Sequence, residues 1–588
     1  MKKTIILSIA LLAAVLFASC SLQEEPYQQN AEALAKDPDG AEQLVTGIYN
    51  TFWSSYMMKK TYQEWTDMDH DLNSAPLWVV SGAGQGNVTT HWGYDGDCDL
   101  FNVFYRIISR CNAAKEALEG ADLSIASIKQ RYGEVLFLRA WAYFQLVRMY
   151  GPVPLRLTSI TEDACPRASI ADVYEVIVDD LNKAIEHMYY PSQGFVGGWG
   201  HADKTAARIL LARVYCTMAS GKLAGDGVSM YVDICNQSSE TSETIDANPV
   251  PNVWTKFTTK PVMGSRMEDG YAEFDAKELY ELAKIQCDSV INRRGIDFDL
   301  MPEWKQLWGS SNYRNKEFVW GIAGYEMDDY RGEGGPWYYT PTAYGGGSYV
   351  AISDGCWQMF DYDINSDNND ARAVDGVFHY WKNGTYEAGK QWYRFPSGDM
   401  HYNTAPDGLK PDDSNEYVKD GPRSVTGWYR PAAYLTKHYM GSDISNPVPV
   451  YTEGSSKNAY DIILIRFAEA YLLRAEALNE LDQPQAACDD LNVIRSRSHA
   501  KTYNETDKVL LRSYIFQERG LEFLQEFNRR FDLIRWGMYL NVMNATAMII
   551  NSQGEAVSLV RAETALLTAV PRAELTSNTL FGGNNPGY

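Results

Sequence analysis

The sequence has few cysteines for its length, and no two of them form a CxxC motif. Nine cysteines are spread singly over 588 residues, which excludes zinc-ribbon and thioredoxin-like motifs. The HExxH, GxSxG and GxxxxGK[ST] motifs of common hydrolases and nucleotide-binding proteins do not occur either. The chain therefore carries no motif that would identify it as an enzyme.

Positive charge is also scarce. The chain has 53 Lys and Arg against 76 Asp and Glu, a net charge of −23 at pH 7. Such an acidic chain is a poor ligand for nucleic acid or for an anionic lipid surface. Long apolar runs are missing as well, because only the N-terminal segment approaches the length of about 18 residues that would suggest a membrane-spanning helix.

That N-terminal segment has the order of an export signal. Two lysines precede "TIILSIALLAAVLFA", residues 4–18, a run shorter than the roughly 20 residues that span a bilayer. A basic start, an apolar centre and small residues at the end are typical of a secretory signal. The sequence "FASC" (17–20) then resembles the lipobox of bacterial lipoproteins, with Phe17 where Leu is usual. In such a box Cys20 is alkylated with diacylglycerol and becomes the new N-terminus.

We therefore predict a signal peptide over residues 1–19 and a lipidated, flexible tether over 20–40. Removal of the leader takes away two lysines and leaves a net charge of −23 − 2 = −25. The alternative is an ordinary signal peptide that happens to end near a cysteine. The acidic stretch after Cys20 resembles the export tags of some surface lipoproteins, although a solvated linker has the same composition.

Most of the remaining chain has helical periodicity. Apolar residues recur at spacings of three and four, the pattern of one helix face, in these segments: 101–120, 133–151, 169–188, 203–221, 275–292 and 461–481. Pro484 ends the last segment and suits the first turn of another helix. Ser169 and Asp172 have the spacing of an N-terminal cap. Paired helices of this kind resemble tetratricopeptide units. The predicted fold is mostly α, with about four helical hairpins that form a scaffold.

The helical segments are interrupted by a long loop-rich insertion. Residues 300–450 are rich in Gly, Pro, Asn, Asp and aromatic residues, and residues 72–100 have the same character. Period-two fragments such as "GTYEAGKQWYRF" (384–395) predict a few short strands. Long loops over a rigid frame commonly carry binding sites. We predict one domain over 41–588, with a helical scaffold at about 41–300 and 455–588 and a loop-rich ligand-binding region at about 300–454.

Four cysteines lie within the helical patterns beside Ala, Leu and Ile: Cys111, Cys216, Cys287 and Cys488. They are predicted to be small buried apolar residues. The sequence alone leaves open whether one or two disulfides form among the others.

Several motifs together resemble one known family. "LRAWAYFQLVRMYGPVPL" (138–155), the helical pair that begins "RFAEAYLLRAEALNEL" (466–481), "ERGLEFLQEFNRRFDLIRWG" (518–537) and the final "NNPGY" (584–588) are similar to stretches of the SusD/RagB family, in the same order. Asn584 stands where that family usually has Gln. The resemblance is weakest over residues 240–450, which include much of the expected ligand site.

The resemblance implies a cell-surface lipoprotein of the outer membrane that captures a nutrient and does not cleave it. The ligand of such proteins is usually an oligosaccharide. It is passed to a partner, a SusC-like TonB-dependent transporter. On this basis we expect no enzyme activity, no required cofactor and an outward-facing lipid anchor at Cys20.

Sugar binding needs flat apolar rings and polar groups that bond to hydroxyls. The loop-borne rings that we predict to contact ligand are Trp78, Trp92, Trp337, Tyr338, Tyr339, Trp357 and Trp381. The predicted polar partners are Asn87, His91, Asp354 and Asn383. The alternative for each ring is burial within a loop-rich subdomain.

Two charged patterns invite a further interpretation. "DYDINSDNND" (361–370) spaces Asp361, Asp363, Asn365 and Asp367 as calcium loops do, but it lacks the Gly and Glu of an EF-hand. Calcium is therefore a candidate ligand there, and a solvated acidic turn is the alternative. In the 518–537 segment, alternating Arg and Glu are predicted to form internal ion pairs rather than an anion site.

Two other functions compete with sugar capture. A peptide-binding surface lipoprotein could use the same scaffold, because tetratricopeptide grooves commonly hold peptides. A helical glycoside hydrolase would need a pair of carboxylates. With 76 acidic residues in the chain, a suitable pair can always be chosen. The sequence therefore does not support the hydrolase function.

Overall fold

The structure is a computed structural model. It describes residues 31–53, 62–74, 100–160, 164–234, 251–262, 268–309, 312, 314–324, 339–340, 350–382, 392–394, 434–438, 461–546, 548–550, 556–558, 561–586 and 588. The statements below concern these residues.

The described residues form mainly α-helices, and the predicted mostly α fold is confirmed. The helices are α1 (Ala31–Leu34), α2 (Pro38–Phe52), α3 (Tyr62–Asp67), α4 (Leu100–Glu119), α5 (Ala126–Tyr150), α6 (Ile170–His187), α7 (Lys204–Asp226), α8 (Glu268–Ala272), α9 (Ala276–Ile291), α10 (Asp354–Met359), α11 (Ala371–Val374), α12 (Ala468–Glu480), α13 (Pro484–Arg497), α14 (Lys508–Glu522), α15 (Arg529–Arg535), α16 (Tyr539–Thr546) and α17 (Arg572–Ser577).

The strands are short and pair two by two in antiparallel fashion. They are β1 (Asn73–Ser74) with β5 (Ala351–Ile352), β2 (Ser229–Ile234) with β3 (Val253–Thr258), β4 (Phe318–Ile322) with β8 (Ile462–Arg466), β6 (Tyr380–Lys382) with β7 (Trp392–Arg394), and β9 (Met548–Ile550) with β10 (Ala556–Ser558). The β6–β7 pair confirms the strand pairing predicted around residues 384–395, and it starts before that fragment.

The helices pack in the predicted pairs. α5 packs against α6, α7 against α9, and α12 against α13, while contacts of α6 with α7 and of α9 with α12 join one pair to the next. α5 is enclosed on all sides: nearly all of its residues from Ile128 to Tyr150 are buried, including the charged Arg131, Glu134 and Arg139. Two of these charges, Arg131 and Arg139, are held in ion pairs with Glu134 and Asp180, and α5 is the central element of the main core.

Local sequence signals fix several helix ends. Ser169 and Asp172 form a reciprocal capping box at the start of α6, as predicted. Pro484 occupies the first turn of α13, where a missing backbone N–H costs no hydrogen bond. Asp203 caps α7 and accepts from the backbone N–H groups of Thr205 and Ala206.

The predicted helix over 461–481 is wrong at its start. Residues 462–466 form β8, which pairs with β4, and α12 begins only at Ala468. Three isoleucines within five residues favour an extended backbone because their side chains are branched at Cβ. The sequence pattern alone could not separate this short apolar strand from the helix that follows it.

The packed part of the chain begins earlier than residue 41, where the tether was predicted to end. α1 starts at Ala31, and Ala35 is buried in the core. Asp37 caps α2 through a hydrogen bond from the Gly40 N–H.

The predicted burial of Cys111, Cys216, Cys287 and Cys488 is confirmed. Cys356 is buried too, and Cys165 is half-buried; all six described cysteines are free thiols. Burial raises the pKa of the Cys216 thiol, which keeps the group neutral and inert.

Among the helices that the structure describes, none is both long and apolar enough to cross a bilayer.

Candidate functional site

The segment of residues 62–74 is fixed to the C-terminal part of the chain by buried ion pairs. Asp69 lies 2.5 Å from Nη1 of Arg530 and 2.8 Å from Nη2 of Arg561. Arg529 forms a second pair with Asp71, at 2.6 Å. Burial would raise the pKa of the Asp69 carboxyl, but the two guanidiniums outweigh burial and hold that pKa at about 2. The segment is therefore held rigidly up to β1.

β1 and β5 bring a second segment to the same place. Asn73 pairs with Ile352, and Ser74 with Ala351. Ser353 then donates its backbone N–H to the carbonyl of Leu72 (2.8 Å) and its hydroxyl to the carbonyl of Asp71 (2.8 Å). The same hydroxyl oxygen accepts from the N–H of Cys356 and caps α10. The start of α10 is thus bonded directly to the residues that end the 62–74 segment.

Tyr339 joins a third segment to this base. Its hydroxyl donates to Oδ2 of Asp67 at 3.0 Å, and its ring stacks on His438 with centroids 4.1 Å apart. The ring is fully buried. In this structure the buried ring offers no face to a sugar, and ligand contact by Tyr339 stays a prediction.

The described ends of three loop segments meet at this base. Residues 75–99, 325–338 and 341–349 lie outside the described residues, but their flanking residues Ser74, Tyr339 and Val350 belong to the contacts just given or adjoin them. The predicted ligand residues carried by these segments are Trp78, Asn87, His91, Trp92, Trp337 and Tyr338. The structure thus brings together the described residues at which these loop segments begin or end.

The remaining predicted ligand residues belong to α10 and to the β6–β7 pair. Trp357 is half-buried on α10 and packs against Phe360 and Tyr362, with ring centroids 6.2 and 5.0 Å away. The backbone of Asp354 begins α10 and that of Trp381 lies in β6, while their side chains are outside the description. Asn383 lies outside the described residues.

A second apolar core supports α10. It contains Leu72, Ile352, Cys356, Phe360, Ala373, Val377, Leu435, Leu521 and Leu524, and Trp357, Met359 and Tyr362 pack against it. This core is separate from the main one and joins the loop region to the end of α14. It gives Trp357 a fixed backing.

The predicted calcium loop does not assemble a cation site. Asp361 accepts from Nη2 of Arg495 (2.6 Å) and from the backbone N–H of Lys501 (2.8 Å), while Asp363 accepts from the N–H of Asn365. Among the described residues, no three His, Cys, Asp or Glu side chains lie close enough to hold a metal ion. The carboxylate of Asp361 is thus already used by an arginine, and calcium binding by Asp361, Asp363, Asn365 and Asp367 stays a prediction.

A buried ionic network lies behind this second core. Arg372 and Arg495 both bind Glu518, at 2.5 and 2.6 Å. Arg466 binds both Glu522 (2.8 Å) and Glu317 (2.6 Å). All six side chains are almost completely buried, so each charge needs its partners. The network joins the loop region to α14.

The ion pairs predicted within residues 518–537 form partly within the segment and partly with acids elsewhere in the chain. Arg519 pairs with Asp532 and Arg535 with Glu476, while Arg529 and Arg530 bind the acids of the 62–74 segment. The segment is also two helices, α14 and α15, separated by a turn in which Gln525 and Phe527 have positive φ angles. The four arginines are thus held in ion pairs inside the protein, as predicted, although the acids that pair with them are Asp532, Glu476, Asp71 and Asp69.

Sequence reasoning did not single out an aromatic cluster beside α10. It contains Trp254 on β3 and two tyrosines, Tyr503 and Tyr514, near and on α14. A tryptophan in the period-two stretch "VWTKFT" was the available signal, because alternation predicts a strand with one exposed face.

Two family models match the chain. A model described as "SusD family" matches residues 353–588, and one described as "Starch-binding associating with outer membrane" matches residues 22–216. Together they cover the first helices of the scaffold, α10 and the C-terminal helices, and they leave residues 217–352 unmatched.

Individual proteins agree with these matches. A SusD-like protein of Bacteroides ovatus is 23% identical over 549 residues, which covers 90% of this chain and 81% of that one. The starch-binding protein SusD of Bacteroides thetaiotaomicron is 39% identical over 182 residues, or 30% of each chain. The crystal structure of a SusD-like protein from Bacteroides fragilis superposes with a TM-score of 0.64 at 19% identity, over 95% of this chain and 98% of that one. At 19% identity, the similarity to this crystal structure shows a shared fold only.

Proposed function

Because this chain belongs to the SusD/RagB family, we propose that it binds an oligosaccharide and delivers it to a partner SusC-like TonB-dependent transporter in the outer membrane. Cys20 would carry the lipid that anchors the protein to that membrane, facing the cell exterior. The family model that matches residues 22–216 is described by association with the outer membrane, which supports this location.

One observation carries the proposed ligand site. Three segments that bear aromatic and amide side chains start from one rigid base, built by the β1–β5 pairing and by the bond from Tyr339 to Asp67. Trp357 lies beside this base on a helix backed by its own apolar core. Rings and amides carried by segments that begin or end at one base suit a sugar site, in which ring faces stack and polar groups bond to hydroxyls.

The relatives support the class of ligand. One of them is by name a starch-binding protein. Its similarity covers under a third of each chain, so starch itself is not transferred to this protein. We propose an oligosaccharide as the ligand class and a capture role without cleavage.

The first test uses the protein without its leader and lipid site, residues 21–588, on an array of plant, host and microbial glycans. We expect selective binding to one polymer class. The variant Trp357→Ala should weaken that binding roughly threefold to tenfold, since an aromatic contact is worth about 0.5–1.5 kcal/mol.

A matched control is Phe195→Ala. Phe195 is an exposed ring, 42% accessible, in the turn after α6, where it contacts Tyr189. Its loss should leave binding unchanged. A blank array would reject the oligosaccharide and leave a peptide as the ligand to examine, while release of shortened sugars would show a hydrolase instead.

A further inference from the structure

The β2–β3 hairpin is attached along the side of α14. The hydroxyl of Ser513 accepts from the backbone N–H of Tyr231 at 2.8 Å, and Nη1 of Arg512 donates to the carbonyl of Ser229 at 2.9 Å. Both bonds use backbone groups of β2, so β3 is the outer strand. The hairpin therefore extends the surface of α14 outward.

β2 is largely buried, while β3 is largely exposed. Met230, Val232 and Ile234 belong to the main core. The pairing register places Trp254 opposite Asp233 and Lys256 opposite Tyr231, on the other face. Trp254 is 39% exposed there, which is unusual for the largest apolar side chain on a folded strand.

Two tyrosine rings extend the aromatic contact that begins at Trp254. Its ring meets Tyr514 edge to face, with centroids 5.5 Å apart at an angle of 85°. Tyr514 in turn lies parallel to Tyr503, at 4.1 Å and 4°. Both tyrosines are half-buried. We call these three side chains the Trp254 surface.

The Trp254 surface is connected to α10 from both ends. On one side, the N–H of Asn252 donates to Oε1 of Gln358 at 2.9 Å, and its amide donates to the carbonyl of Gly355. On the other side, the guanidinium of Arg495 lies 4.3 Å over the ring of Tyr503 and bonds to Asp361 at 2.6 Å.

These contacts connect the Trp254 surface with Trp357 through α10 and the residues that follow it. Asp361 precedes Tyr362, whose ring is 5.0 Å from that of Trp357, and Trp357 precedes Gln358. The Trp254 surface and Trp357 thus border the same stretch of the molecule, although they come from distant parts of the sequence. A chain molecule bound at Trp357 could reach the Trp254 surface without leaving the protein.

Three polar atoms among the residues near the Trp254 surface and Trp357 are unpaired. Oδ1 of Asn252, the hydroxyl of Tyr362 and Oε1 of Gln517 have no hydrogen-bond partner among the described residues. Gln517 lies three residues after Tyr514 on α14, which places the two on neighbouring positions of one helix face. All three atoms are buried, and an unpaired buried polar atom costs free energy in the folded protein.

We propose that the Trp254 surface binds a pyranose ring of a glycan chain whose other part contacts Trp357, and so forms an additional subsite for longer oligosaccharides. This inference rests on the proposed function, because it assumes a glycan at Trp357. It goes further by assigning a second contact region and by predicting that affinity increases with chain length.

The experiment compares Trp254→Ala with wild-type protein by calorimetric titration. The ligands are a disaccharide and a longer oligosaccharide of the polymer class selected on the array. We expect Trp254→Ala to weaken binding of the longer chain roughly threefold to tenfold and to leave disaccharide binding at Trp357 unchanged. Phe195→Ala is the control ring and should change neither affinity.

Trp254→Phe keeps an aromatic face and should recover most of the affinity for the longer chain, which separates a stacking role from a general effect on folding. Equal affinities of wild-type protein and Trp254→Ala for the longer chain would overturn the inference while leaving the proposed function intact. Absence of glycan binding by wild-type protein would reject the proposed function, and this inference with it.

Discussion

Glu522 is a fully buried carboxylate at the C-terminal end of α14. It accepts from Arg466 at 2.8 Å and is in contact with Arg497. Burial would raise the pKa of the Glu522 carboxyl, but Arg497 and Arg466 hold it below its usual range. Taking two charges out of water is costly unless they are paired, so such a group stabilises the fold only as part of its complete network.

Replacing Glu522 by Gln should therefore destabilise the protein strongly. The change keeps the shape of the side chain but leaves Arg466 and Arg497 short of a counter-charge, and we expect a loss of about 3 kcal/mol in the free energy of unfolding. Urea denaturation followed by tryptophan fluorescence measures this.

The control for Glu522→Gln is Lys183→Ala. Lys183 pairs with Asp179 on the surface of α6, where both side chains are about half exposed, at 50% and 55%. Loss of that pair should change the free energy of unfolding by less than about 0.5 kcal/mol. Similar losses in the two variants would contradict the importance given to burial.

At the scale of elements, the β4–β8 pair decides how the loop region is attached to the C-terminal hairpin. Gly321 lies in β4, opposite Ile463 of β8. A Cβ atom added to Gly321 would lie 2.4 Å from the carbonyl oxygen of Ile462. The strands approach each other too closely for any residue other than glycine at this position.

The variant Gly321→Ala should consequently weaken the β4–β8 pair. Because the obstacle is backbone rather than a flexible side chain, we expect a loss of about 1–3 kcal/mol in the free energy of unfolding. Amide hydrogen exchange should rise in residues 318–322 and 462–466 before it rises elsewhere.

Gly47→Ala is the matched comparison for Gly321→Ala. Gly47 lies within α2, and an added Cβ meets nothing within 4 Å. Alanine there removes only the conformational entropy cost of glycine, so a gain of about 0.5–1 kcal/mol is expected. A gain at both positions would show that β4 and β8 can separate without penalty.

At the scale of the whole molecule, helical pairs stack around the long buried helix α5. α2 belongs to this assembly, because Val45, Ile48 and Phe52 are buried in the main core. Glu42, also on α2, lies 2.5 Å from Arg131 and 2.9 Å from His201. Burial would lower the pKa of His201, but the carboxylates Glu134 and Glu42 raise it to about 9.

The N-terminal boundary can be tested by shortening the chain. A protein that starts at residue 31 retains α1 and α2, so its thermal unfolding midpoint should equal that of residues 21–588. A protein that starts at residue 54 loses the buried side chains of α2, including Val45, Ile48 and Phe52. It also loses Glu42, one of the two carboxylates that pair with Arg131 and His201.

We expect the protein that starts at residue 54 to unfold at a clearly lower temperature or to aggregate. Circular dichroism during heating distinguishes the three forms. Equal midpoints for all of them would show that α2 is not needed to cover the core.

Much of the scaffold could be predicted because its signals are local. The capping box at Ser169, the first-turn position of Pro484 and the apolar faces of α5 and α7 depend on residues within one or two helical turns. The start of β8 was missed because a short run of isoleucines suits a strand or a helix, and only its partner β4 decides between them.

The candidate site was less predictable, because its residues meet over long distances in sequence. Tyr339 was predicted to contact ligand, but the carboxylate of Asp67 and the ring of His438 enclose it in this structure. Asp361 had the spacing of a calcium ligand, but Arg495 occupies its carboxylate. Composition indicates that a segment is rich in rings or acids; it does not indicate which group each of them will meet.

The sequence by itself determined the family, the mostly α scaffold, its helical pairs and the expectation of an aromatic ligand region. Periodicity, caps and motif order are properties of neighbouring residues and survive without coordinates. Only the tertiary structure decided which arginine neutralises which carboxylate and which aromatic rings are buried, and it alone brought Trp254 and Tyr514 together on one surface. The physical reason is that many pairings of charges and rings are chemically equivalent along the chain, and the fold selects among them by the distances it imposes.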